Sequence, residues 1–485
     1  MPMPNIIPIL PEIILALAAC LVLVIEPFLK KDKTATVAIA LSAVLASGVV
    51  ALGLWNRSEV SFNGMIALDA YSVFFKVLFA AAGVMTILMS PRYLEANHRN
   101  KGEYYVLLLF ALVGMDIMAA SRDLIAFYVG LELMAVSSYL LAGFFRYQER
   151  SNEAALKYFL TGTFASAITL YGVSLLYGLS GSTNYAAVGA AVQANNTGSL
   201  AALATALVVV GMGFKVSVVP FHMWTPDVYE GAPTPIAGFF SVGPKAAGFS
   251  AILLIFLTVF AGTSNVWSTL FIVLSILTML VGNLFALVQK NVKRMLAFSS
   301  IAHVGYLLAG LAALGKSHDR LAGQAILLYL VCYTFMNMGA FGILAYLKTQ
   351  SPGGFDYSLS DFAGLARRTP WAAILMGLFM FSLTGIPGTA GFIGKFYLFN
   401  AVVSANLTWL AVVAVIFSAV SAYYYLRVIM YMFFREPERE YAAKESINGP
   451  LAAGLALAAV GVIAIGVLPP GVLDAAVNAF KGVGL

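Results

Sequence analysis

Fourteen apolar stretches of about 20 residues follow one another along the chain, each long enough as a helix to cross the ~30 Å hydrocarbon layer of a bilayer. They fall at about 6–28, 35–55, 66–89, 103–120, 123–145, 153–179, 198–224, 233–261, 266–288, 292–314, 322–347, 371–401, 406–433 and 450–469, separated by charges, glycine, proline or asparagine. The pattern predicts an all-α polytopic membrane protein. The seventh and twelfth stretches contain Pro220 and Pro387. Proline removes a backbone donor and ends the regular ladder, so both helices are predicted to be broken. Lipid cannot satisfy the freed groups, which puts the breaks inside the bundle. Two breaks five stretches apart suggest an internal repeat, spans 4–8 and 9–13, and an odd repeat length makes the second copy inverted, as in many transporters. The implied divisions are an N-terminal three-helix segment (1–100), a first five-helix repeat (101–262), a second (263–434) and a C-terminal helix (435–485).

Composition agrees with this pattern. Of 485 residues, 61% are hydrophobic and 10% charged, against about 25% charged in ordinary soluble domains, and the mean hydropathy is +0.89. No basic segment precedes the first apolar run, which is expected to be retained as a span rather than cleaved. The charges sort by loop. Eighteen lysines and arginines between Lys30 and Lys444 follow odd-numbered spans, whereas four, Arg57, Arg122, Lys316 and Arg320, follow even-numbered ones. The positive-inside rule then places both termini on the outer side of the membrane. The net charge of +6 is thus a topology signal and not one for nucleic acid. Stretch 180–200 reads as a polar external loop, and 348–370 as a cytoplasmic connection with a short amphipathic segment at Leu359 to Arg367. Cys20 and Cys332 stand far apart in apolar runs, which fits small buried hydrophobes and offers no metal or iron–sulfur ligand set.

A few ionisable residues remain inside the spans: Asp69, Lys76, Asp116, Glu132, Lys215, His222, Lys245, His303, Lys395 and Arg427. Each costs about 2.5–3.5 kcal/mol at the centre of a lipid-facing helix, so each is expected to face protein or water. Lys215 lies in GMGFKVSVVPFHMWTPDVYEGAPTP, five residues before Pro220; Glu132 lies about nine residues into the fifth span. An acid beside a buried lysine holds it protonated, and withdrawing the acid releases the proton. The competing reading is a fixed ion pair. Lys245 directly follows Pro244, and Lys395 lies eight residues after Pro387; a relay and snorkelling to an interface are the alternatives for both. His222 and His303 titrate near neutrality when unperturbed, and Tyr306, Ser299 and Ser300 beside His303 suit a hydrated path. Asp69, Lys76 and Arg427 read as structural. No dinucleotide fingerprint, phosphate loop or nucleophile elbow is present, so redox chemistry is not expected in this chain.

The stretches FKVSVVPFHMWTPDVYEGAPTPIAGFFSVGPKAAGF, NVKRMLAFSSIAHVGYLLAG and SLTGIPGTAGFIGKFYLF resemble the antiporter-like subunits of bacterial respiratory complex I, NADH–quinone oxidoreductase, across nearly the whole chain. The wording WTPDVYEGAP, the lysine at 395 where the M branch has glutamate, and an end soon after span 14 where the L branch continues, are similar to the subunit N branch. The resemblance implies that Glu132 modulates Lys215, that Lys215 accepts a proton on broken span 7, that Lys245 is the central relay and that Lys395 leads to the opposite exit. It implies a proton-translocating subunit of a bacterial inner membrane. Its neighbours would be subunit M and small membrane subunits such as K and J, with FMN, iron–sulfur clusters, NADH and quinone carried on other subunits. The alternatives are a subunit of a multisubunit sodium/proton antiporter and a passive scaffold of the membrane arm.

Overall fold

The computed structural model describes residues 5–29, 33–194, 198–350, 354–437 and 447–481. Lys30, Lys31, Arg439 and Lys444 of the charge pattern lie outside them. Among the described residues thirteen helices are long and apolar enough to cross a membrane. The remaining predicted span, 371–401, is two 15-residue helices, Pro370–Thr384 and Ala390–Ser404, each about 22 Å long and too short alone. The seventh span is likewise divided, into Ser199–Val216 and Trp224–Gly231. Both predicted breaks are therefore present.

Burial sets the order from centre to rim. Every residue in the most apolar window of helices Thr234–Thr258 and Val292–Ser317 is buried, and 89% of that window in Arg320–Gln350. Only a third is buried in Thr34–Gly53, Glu149–Ser180 and Thr408–Phe434. Lys245 and His303 thus sit on the two most enclosed helices. In water an all-round apolar helix would be unusual; here the rim helices turn residues such as Phe164 and Val415 outward, as lipid requires.

The structure departs from the sequence reading in four places. The third span was expected to begin at residue 66, but residues Ile66–Leu68 form a strand paired antiparallel with Glu59–Ser61, in register Val60 with Ala67. The helix begins at Ala70 because Asp69 caps it, its side chain accepting from the Ser72 N–H at 2.8 Å while Ser72 Oγ accepts from the Asp69 N–H; this is a capping box. Stretch 180–200 is not simply a polar loop: it holds the helix Tyr185–Ala194, which buries Tyr185, Val188 and Val192 on one face. Its alanine-rich remainder hides that stripe from a composition reading. The expected segment at Leu359 to Arg367 is a 3-10 turn, Leu359–Phe362, and one helical turn, Leu365–Arg368, divided by Gly364 at φ 67°. Finally, a short helix, Pro470–Lys481, follows the last span and packs Phe480 against Gly323.

The closest helix pair, Ser264–Val288 against Val292–Ser317, depends on two glycines. A Cβ at Gly282 would lie 2.5 Å from Ala302 N, and one at Gly305 would lie 2.7 Å from Met279 N. Small residues at such positions let backbones approach and are the main device of helix association in lipid. Gly282→Val is expected to cost about 1–3 kcal/mol by overpacking and to lower the thermal midpoint of the detergent-solubilised protein. Gly53→Ala, where nothing lies within 4 Å, is expected to leave the midpoint at the wild-type value. Equal midpoints for both variants would remove the close-packing role.

Candidate functional site

The break after Lys215 is satisfied from within. The helix ends at Val216, and Ser217 turns left-handed at φ 68°. The Ser217 and Val218 N–H groups bond back to Phe214 O and Gly213 O, at 3.0 and 2.7 Å. The Val219 N–H finds Thr278 Oγ1 at 3.1 Å, and the Trp224 indole N–H bonds Phe214 O at 3.0 Å. The Val219–Pro220 peptide is cis. Helix Trp224–Gly231 then resumes, its Trp224 stacked on Tyr158 with ring centroids 4.3 Å apart.

Lys215 is 5% exposed. Its Nζ makes no hydrogen bond or ion pair among the described residues; it stands 5.4 Å from the ring centre of Tyr139 and 5.9 Å from that of Tyr158, a cation–π seat. The expected acid, Glu132, does not form a direct ion pair with it. Glu132 instead accepts a short hydrogen bond from Ser166, whose hydroxyl also meets Tyr128 Oη at 3.0 Å, and it acts on Lys215 through space. Ser166 was missed in the sequence, where it is one of many serines on an outer helix and nothing marks it out.

Lys245 is 3% exposed and does not snorkel. Its Nζ donates to Ser300 Oγ at 2.7 Å and stands 5.7 Å from the ring centre of Tyr229. One residue away, Ser299 shares a short hydrogen bond with Tyr425 Oη, which lies 3.1 Å from His303 Nε2. His303 Nδ1 meets Tyr329 Oη at 2.6 Å. The imidazole and the hydroxyls each can donate and accept. Tyr306, T-shaped against His303 at 5.6 Å, presents its ring 5.4 Å from Lys395 Nζ. The structure therefore brings Lys245, Ser299, Ser300, His303, Tyr306 and Lys395 into one buried chain of contacts. Tyr425 and Tyr329 are the members that sequence reasoning missed. Tyr425 carried a signal: three consecutive tyrosines, Tyr423, Tyr424 and Tyr425, in one helix cannot all face lipid, and only Tyr423 does so, at 62% exposed.

Lys395 fills the second break. Helix Pro370–Thr384 ends at Gly385, φ 95°, and Gly388 at φ 86° completes the turn. Glycine meets these angles without strain. The Lys395 ammonium donates to the freed carbonyls of Leu383 and Thr384, at 2.9 and 2.8 Å, and to Ser418 Oγ at 2.9 Å. A cation there also complements the negative end of the helix dipole. A cavity of about 650 Å³ adjoins Lys395, lined by Thr384, Phe396, Asn400 and Ser418 among others.

The remaining predicted residues divide. His222 lies in the first break, half-buried, with Nδ1 unpartnered and no contact to the Lys245–Lys395 chain. Asp69 pairs with Arg122 at a helix start, and Lys76 with Glu12. Arg427 is structural as expected: it donates to Leu287 O at 2.9 Å and Gln289 O at 2.6 Å, at the end of helix Ser264–Val288. Lys293, read as a loop charge, is 2% exposed and donates to Ala232 O at 2.6 Å. Among the described residues no group of three or more His, Cys, Asp or Glu side chains is placed to hold a metal ion.

Comparison with known proteins gives this geometry a family. Residues 121–421 match the family model described as NADH:quinone oxidoreductase/Mrp antiporter, TM. The chain is similar to NADH-quinone oxidoreductase subunit N of Trichlorobacter lovleyi, 43% identical over 483 residues, covering 98% of this chain and 97% of that one. It is similar in structure to a chain of respiratory complex I from Thermus thermophilus, with TM-score 0.81 and 34% identity over 96% of this chain and 99% of that one. A chain of the Mrp complex from Dietzia sp. DQ12-45-1b shares the fold at TM-score 0.82 and 22% identity, over 98% and 97% of the two chains. Divided helices, buried lysines and sequence agree: the chain belongs to the NADH:quinone oxidoreductase/Mrp antiporter membrane-subunit family, in its subunit N branch.

Proposed function

We propose that the chain is a proton-translocating membrane-arm subunit of NADH–quinone oxidoreductase, acting through a relay of Glu132, Lys215, Lys245 and Lys395. The observation that carries the reading is the buried run from Lys245 through Ser300, Ser299, Tyr425 and His303 towards Tyr306 and Lys395. The hydroxyls and the imidazole in it can each pass a proton by donating one hydrogen bond and accepting another. Lysines at these buried places suit a relay, because burial makes lysine a group that gains and loses a proton readily.

A proton taken up from the cytoplasm loads Lys215. The state of Glu132, which accepts from Ser166, sets whether Lys215 keeps it. Water and Lys245 carry it onward to Lys395, which releases it outside. Lys395 binds the carbonyl end of a broken helix, so losing its proton also loosens that end and couples charge to the break. A polar cavity of about 190 Å³, lined by Arg150, Glu230, Lys293, Lys348 and Asp356 among others, lies on the face bearing most positive loops and supports uptake there. In this reading the breaks at residues 217–223 and 385–389 belong to two inverted five-helix repeats, 101–262 and 263–434, flanked by 1–100 and 435–485. Both termini lie on the outer side of a bacterial inner membrane, subunit M and small subunits such as K and J are the neighbours, and FMN, iron–sulfur clusters, NADH and quinone stay on other subunits. The antiporter reading shares the fold, but 43% identity to a subunit N against 22% to an Mrp chain favours the quinone-linked complex.

Two variants test the relay in assembled complex, verified by immunoblot. Lys245→Met is expected to lower coupled proton pumping about tenfold, an added barrier of roughly 1.4 kcal/mol, whereas exposed Lys316→Met leaves it unchanged. Unaltered pumping in Lys245→Met would refute the relay. If sodium-driven proton exchange fell while NADH oxidation stayed intact, the antiporter reading would stand instead. Tyr425→Phe, which breaks the link between Ser299 and His303, is expected to slow pumping severalfold, while the lipid-facing Tyr423→Phe has no effect. Identical rates for the two tyrosine variants would take Tyr425 out of the path.

A further inference from the structure

A second group of buried ionisable residues lies on the first, third and fourth spans, apart from the relay. Glu12 is in the first turn of helix Leu10–Ile25, Lys76 in the second turn of Ala70–Ala96, and Asp116 in the last turns of Gly102–Ala120. They are 5, 2 and 2% exposed. Lys76 Nζ lies 2.7 Å from Glu12 Oε1 and donates to Pro8 O at 2.8 Å. Asp116 Oδ1 and Glu12 Oε2 are fully enclosed and have no hydrogen-bond partner among the described residues. Helix Gly102–Ala120, which carries Asp116, packs against both Leu10–Ile25 and Ala70–Ala96, which carry Glu12 and Lys76.

Counting charges decides what this cluster must do. Two carboxylates and one ammonium leave one uncompensated negative charge at full ionisation. A buried unpaired charge costs several kcal/mol, enough to offset the roughly 4 kcal/mol needed to protonate a free carboxyl at neutral pH. Other ionisable groups on the neighbouring helices do not supply the missing positive charge. Thr34–Gly53 carries none, Leu124–Ala142 brings the acid Glu132, and Arg122 is committed to Asp69. Lys245, on the helix packed against both Ala70–Ala96 and Gly102–Ala120, is turned to Ser300. Helix Pro470–Lys481, which also packs on Ala70–Ala96, carries Asp474 and Lys481 beyond its buried face, and Arg320–Gln350 carries Arg320 and Lys348 at its ends.

We propose that Glu12, Lys76 and Asp116 form a proton-binding site outside the relay, in which the two carboxyl groups share one exchangeable proton while Lys76 stays charged. The unpartnered oxygens of Asp116 and Glu12 are where that proton resides.

Infrared spectroscopy of the purified, assembled complex at neutral pH reads this directly. The wild type is expected to show a protonated-carboxyl C=O band that moves to lower wavenumber in D2O. Asp116→Asn loses that one band, because a balanced Glu12–Lys76 pair remains. Glu12→Gln loses the same band, leaving Asp116 to pair with Lys76, and serves if the first variant does not assemble. Lys76→Met gains one protonated carboxyl instead. Spectra unchanged in both acid variants would overturn the proposal, as would a band that does not respond to D2O. These readouts need no pumping, so they stand or fall separately from the relay.

Discussion

Lipid offers no hydrogen bonds, and this constraint governs the whole molecule. A backbone or charged group freed inside the bundle costs several kcal/mol unless protein or trapped water meets it. The chain nevertheless breaks two helices and buries five lysines, Lys76, Lys215, Lys245, Lys293 and Lys395. Four of the five meet the cost with oxygen atoms at hydrogen-bond distance. Lys395 does so at a break, where its ammonium takes the carbonyls of Leu383 and Thr384. The break and the cation compensate each other.

Lys215 is the exception, and its exception is informative. With no oxygen partner, its charge rests on the faces of Tyr139 and Tyr158 and on the field of Glu132. Between Lys245 and Lys395 lie hydroxyls and an imidazole that can each donate and accept a hydrogen bond. Among the described residues the molecule thus combines one cation without an oxygen partner near the first break with a buried run of polar and aromatic contacts ending at the second. A fixed salt bridge at Lys215 would have locked the first of these.

Much of this was legible in the sequence because lipid imposes a simple code. Span lengths, the proline breaks and the charges inside spans each have one physical cause, and all reappear in the structure. His303, Tyr306 and Ser299 were legible because they share one helical segment with SSIAH at its centre. The partners were not. Tyr425 and Tyr329 reach His303 from helices more than 20 residues away in sequence, and only packing brings them there. Ser166 looked like any serine facing out. Lys293 was read as a loop charge because charges cluster around residue 290, yet the fold of Glu230 to Ala232 covers it. The sequence pointed to Glu132 acting on Lys215, with a fixed ion pair as the competing reading, but the hydroxyl of Ser166 that bonds the acid had no signature.

The central claim is that a proton passes through Lys215 and that quinone reduction depends on it. The most direct measurement is NADH–quinone turnover together with proton pumping in native membranes carrying Lys215→Ala, with assembly verified by immunoblot. The account predicts that both collapse together in a fully assembled complex. Normal coupled turnover in that variant would contradict it.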